Sequence, residues 1–137
     1  MRRRTLVFLL IIAGSALSAC GGGGGGGGDG SVLHSGDAIV LVDADRGDGP
    51  TVGVGFGGSV AMVGDCLGID DATVVWPHGT TISDRDPLTI EVPGLGRVRV
   101  GSSVDGGAGD LDDLPKGIDA IPSGCPTEHV IAFYPNS

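Results

Sequence analysis

Short apolar runs, broken every few positions by Gly, Pro or Asp, recur along the chain from residue 38 onward. "AIVLVDA" (38–44) is dense, apolar and of strand length. "TVGVGF" (51–56) alternates with glycine, and "SVAMV" (59–63) follows as another short run. "CLGI" (66–69) and "TVVWP" (73–77) flank "DDA", which has the punctuation of a hairpin. "LTIEV" (88–92) and "RVRVG" (97–101) alternate, which predicts Arg97 and Arg99 outward and Val98 and Val100 inward. "PGLG" between them is a turn, and "HVIAFY" (129–134) is a further strand. The one helical expectation is a short turn at "DLDDL" (110–114), ended by Pro115.

Strands at this spacing, joined by Gly/Pro/Asp turns, predict an all-β domain. We expect a small five- to seven-stranded barrel over residues 37–137, closed or nearly closed, with a β-sandwich as the alternative. "SSVDGGAGDLDDLPKG" (102–117) is expected to be a long polar loop that carries contacts, since loops of this length are commonly functional.

The N-terminal part is different. Arg2, Arg3 and Arg4 precede an apolar stretch from Leu6 to Ala13 that ends in small residues, the pattern of a secretory signal peptide. The stretch is shorter than the roughly 20 residues a bilayer-spanning helix needs. "LSAC" (Leu17, Ser18, Ala19, Cys20) resembles the lipobox of bacterial lipoproteins at every position. That resemblance implies cleavage after residue 19 and a thioether-linked diacylglycerol on Cys20. It also implies a lipid-anchored location at the cell membrane, facing outside the cytoplasm. Two acyl chains give stable anchoring where one gives marginal binding. Gly21 to Gly28 then read as part of a flexible tether over residues 20–36, with a reach of roughly 20–25 Å.

Charge and cysteine content sharpen this picture. All 17 acidic residues follow Cys20 and three of the eight basic ones precede it, leaving five against 17, a net −12. Such a chain is not expected to bind nucleic acid or to make a second, electrostatic contact with anionic lipid. A monomer is expected. The two cysteines beyond Cys20, Cys66 and Cys125, are expected to form a disulfide in an exported protein. The pair lacks the C-x-x-C spacing of a redox or metal motif.

Candidate chemistry is sparse. Asp43, Asp45 and Asp48 in "DADRGDG" are weak calcium-ligand candidates, and Asp110, Asp112 and Asp113 form a second oxygen-rich group. The first departs from the EF-hand register: counted from Asp43, position six is Asp48 rather than Gly and position twelve is Val54 rather than Glu. "GVGFGG" (53–58) matches G-x-G-x-x-G but lacks room for the helix that motif requires, so a glycine-rich strand is expected. His34, His78 and His129 fall in unrelated contexts, and no G-x-S-x-G elbow accompanies them. No catalytic residues are assigned. Trp76, the sole tryptophan, is expected to fill the core. The order "CLGI…VVWPHGT…VPGLGRVRVGSSVDGGAG…C" is similar to small exported actinobacterial β-domains, which implies an OB-like barrel over about residues 59–134. The expected function is a non-catalytic domain that binds or positions a partner, such as a protein, at the cell envelope. The alternative is a calcium or small-ligand domain.

Overall fold

The computed structural model describes residues 28–45 and 54–136. Cys20, the signal-like segment, Asp48 and the rest of the 46–53 stretch lie outside the described residues. Among those described there are ten strands and no helix. They are β1 (Ser31–Ser35), β2 (Ala38–Val42), β3 (Val54–Val63), β4 (Cys66–Ile69) and β5 (Ala72–Trp76). Then come β6 (Thr81–Arg85), β7 (Leu88–Val92), β8 (Gly96–Arg99), β9 (Ser103–Asp110) and β10 (Val130–Pro135).

Six strands form a ring in the order β2-β4-β3-β9-β10-β5, which returns to β2 through the Leu41↔Val75 and Val42↔Trp76 pairs. β1 adds to the outside of β2 as an antiparallel hairpin partner. Three contacts are parallel: β10 with β5, β2 with β4, and β2 with β5. β6, β7 and β8 form a separate antiparallel sheet in sequence order. The expected all-β class and strand number are met, with six strands in the ring and a second, smaller sheet beside it.

The period-2 alternation of a strand divides each apolar run between two faces. Val40 and Val42, Leu67 and Ile69, and Val74 and Trp76 join Val60, Val104, Ile131 and Phe133 in the main core. Ile90, Val92 and Val98 of the small sheet enter the same cluster, so that sheet covers the core with one face. Ile39, Leu41, Cys66 and Val75 point to the opposite face and pack with Cys125 in a second cluster. Strands β2, β4 and β5 are therefore buried on both sides, which is why their sequences read as unbroken apolar runs. Trp76 is fully buried, as expected, and meets Phe133 edge-on at 5.7 Å between ring centroids. Its indole N–H donates to the Leu67 carbonyl at 3.0 Å, which satisfies the one polar group it carries inward.

Several expectations are corrected. The stretch 102–117 is not one loop: Ser103–Asp110 is β9, paired along β3 on one side and β10 on the other. Its glycines obscure the strand pattern, and one of them serves a close approach. A Cβ on Gly106 would sit 2.9 Å from Cε2 of Phe133 and would collide with the Tyr134 carbonyl oxygen. The expected helical turn at 110–114 is absent: Asp110 ends β9 and irregular chain follows it. The folded part does not wait for Asp37, because "SVLHS" pairs with β2 from Ser31 onward. Val100, expected inward, is 47% exposed, since β8 ends at Arg99 and the chain turns. "TVGVGF" and "SVAMV" supply one strand, the ten-residue β3.

Candidate functional site

The segment between β9 and β10, residues 111–129, has no regular structure and lies over the outer face of the ring. Leu111 and Ile121 pack on the second apolar cluster, and Pro115 and Ile118 are buried. Cys125 bonds Cys66 of β4, with 5.1 Å between their Cα atoms, forming the expected disulfide. Backbone bonds reinforce the cross-link. Asp65 N–H donates to Gly124 O at 2.9 Å, and the Thr73 hydroxyl donates to Pro126 O at 2.6 Å. Gly30 N–H donates to Lys116 O at 2.7 Å, and the Lys116 ammonium lies 3.3 Å from the Asp29 carboxylate. The chain before β1 is thereby held to the same segment.

The acidic candidates are dispersed. Asp43 is only 3% exposed, and its Oδ1 accepts the Ala44 N–H at 2.8 Å, so its carboxylate serves its own turn. Asp45 is exposed and donates its N–H to Gly28 O at 2.8 Å. Asp45 and Asp113 line one concavity of about 360 Å³ beside Lys116, which brings one member of each sequence group together. Asp110, Asp112 and Asp113 line another, of about 470 Å³, with Glu128 and His129. Among the described residues no set of three or more His, Cys, Asp or Glu is placed to hold a metal ion.

The imidazoles occupy three separate elements. His34 is on β1, His129 precedes β10, and His78 lies in the β5–β6 turn. His78 Nδ1 is 3.3 Å from Asp43 O, and its ring abuts Gly28, where a Cβ would come within 2.6 Å of Cε1. His129 Nδ1 lies 4.0 Å from an exposed Asp71 carboxylate. Ser59 is on β3, and its N–H donates to Asp70 Oδ1 at 3.0 Å. These groups do not converge.

A different place does draw groups together. The outer face of the small sheet holds a concavity of about 490 Å³ lined by Ser83, Asp84, Thr89, Arg97, Arg99 and Ser102, with Pro87 at its edge. Alternation along β8 turns Val98 into the core and leaves Arg97 and Arg99 on one outward face. The β7–β8 register sets Glu91 opposite Arg97 and Thr89 opposite Arg99. Arg97 accordingly has a carboxylate at 3.7 Å, in a pair exposed enough to be worth little. Arg99 has a hydroxyl-bearing residue across from it and no ion-pair partner among the described residues. A register shift between Ile82 and Asp84 on β6 brings Ser83 beside Thr89, whose carbonyl accepts the Ser83 hydroxyl at 3.3 Å. Sequence reading placed both arginines outward but did not single out this face.

No protein-family model, curated protein or solved structure matches the chain.

Proposed function

We propose that this chain is an exported lipoprotein, anchored at the cell membrane through Cys20, whose β-domain binds a partner at the cell envelope without chemistry of its own. The buried Cys66–Cys125 disulfide carries this reading. Such bonds form and persist in oxidising compartments, and the signal-like segment with "LSAC" addresses the chain to one. The fold supports a binding role: its histidines are dispersed, while its outward arginines share one polar concavity. The contact surface is therefore assigned to the small sheet rather than to 102–117, half of which is paired within the ring.

The test is fractionation of cells expressing the full chain or its Cys20→Ser variant. Wild type is expected in the membrane fraction and the variant in the soluble exported fraction. A variant that remains with membranes, or a wild type that is soluble, refutes the anchor.

A further inference from the structure

We propose that the concavity on the small sheet is an oxyanion site that takes a phosphate group, with Arg97, Arg99 and Ser102 as its donors. The inference deepens the binding role proposed above and rests on it only for its biological setting.

Basic residues are scarce, yet two of them line this one concavity. The described residues contain four, Arg85, Arg97, Arg99 and Lys116, and three of them belong to β6 and β8. Arg97 and Arg99 are two positions apart on one strand, so both guanidinium groups project from the same face with backbones about 7 Å apart. Each guanidinium offers paired N–H donors that match the edge of a phosphate or carboxylate. Ser102 completes the set from the β8–β9 turn. Its Oγ accepts the Arg99 backbone N–H at 3.3 Å, which fixes the oxygen and leaves the hydroxyl hydrogen to donate.

The remaining groups are already committed. The Ser83 hydroxyl donates to Thr89 O at 3.3 Å and the Thr89 hydroxyl donates to Pro87 O at 3.0 Å. The Asp84 carboxylate accepts the Arg85 N–H at 2.8 Å and the Asp86 N–H at 3.4 Å through one oxygen, so it caps its own turn. Glu91 offsets Arg97 alone. Arg99 has no ion-pair partner among the described residues, and Asp84 is the one carboxylate that shares the concavity with it. Three convergent donor groups suit the several oxygens of a tetrahedral phosphate better than the two of a carboxylate. The overall negative charge opposes any long-range pull on anions, so recognition must come from these short-range contacts.

The phosphate could belong to a lipid headgroup or be free in solution, and two arms separate these sources. Both use the full chain carrying Cys20→Ser, so that acylation cannot bring it to a membrane. The first titrates inorganic phosphate by calorimetry; the second sediments the chain with phosphatidylglycerol vesicles. Saturable binding in either arm is expected, weakened by salt and weakened about tenfold by Arg97→Gln with Arg99→Gln. Lys116→Gln, which removes one positive charge away from the concavity, is the control and should bind normally. Trp76 emission verifies that each variant is folded. Vesicle binding alone assigns a lipid headgroup; phosphate binding assigns a free or soluble phosphate. No binding in either arm overturns the site, as does equal binding by the folded double-arginine variant. The fractionation of Cys20→Ser is read independently, so the anchor and the groove can fail separately.

Discussion

Gly106 offers a sharp check on how β9 fits into the ring. The residue is buried between Phe56 of β3 and Pro135 of β10. An alanine methyl there would press on Cε2 and Cζ of Phe133, each 2.9 Å away, and on the backbone oxygen of Tyr134. Neither neighbour has an easy retreat. Phe133 is fully buried against Trp76, and the Tyr134 backbone belongs to the β9–β10 ladder. Overpacking of this kind costs about 1–3 kcal/mol. The stiffer unfolded chain returns about 0.4–1 kcal/mol. A net loss of about 1–2 kcal/mol lowers the Tm of a domain this size by about 4–16 °C. Gly109, three positions along the same strand, has nothing within 4 Å of where its Cβ would stand. Gly109→Ala should therefore raise Tm by a few degrees. Trp76 is the only tryptophan and is buried, so its emission on heating reports the transition directly. Equal shifts for the two variants, or an unperturbed Gly106→Ala, would refute the close approach of β9 to Phe133.

Further expectations concern the staple and the core. Cys66→Ala with Cys125→Ala opens a cross-link spanning 59 positions and should cost about 4 kcal/mol, measured by urea unfolding. Reductant should bring wild type to the same midpoint, and an unchanged midpoint would mean that the bond adds no stability. Trp76→Phe removes the buried indole bond to Leu67 O and leaves a gap beside Phe133. A loss of about 2–4 kcal/mol is expected in chemical denaturation, followed by circular dichroism.

Much of the strand pattern was legible because its signals are local. "CLGI–DDA–TVVW" and "LTIEV–PGLG–RVRV" each carry their own turn, and both hairpins form as read. The turn at Asp70 even adopts a left-handed backbone, φ 52°, which Asp tolerates better than most residues. β9 was hidden because its inward positions include Gly106, which contributes no side chain to a periodicity count. Its reason for being glycine is Phe133, some 27 positions later in the chain, a contact no local window contains. β1 was hidden by its glycine-rich surroundings, and β6 by "SDRD", where a register shift breaks the alternation. The disulfide was legible from the cysteine count, whereas the groove was not. Arg97 and Arg99 could be placed outward from β8 alone, but Ser102 and the β6 residues reach them only through turns and a bulge.

The place of β10 has a consequence for how the chain comes to be folded. β10 lies between β9 and β5, pairing Ala132 with both Gly109 and Val75. Until Val130–Pro135 arrives, β5 and β9 each keep an unsatisfied ladder, and the Phe133 side of the core is empty. A chain emerging from its N-terminal end can form its hairpins but cannot complete the ring. Loops must close over long sequence separations before burial offsets their entropy, which favours late, cooperative folding. Such a chain stays threadable through most of its synthesis and becomes compact only after its final strand is released. Under the export proposed above, that order of events suits a polypeptide that crosses a membrane unfolded, and Phe133 belongs to the step that locks the structure.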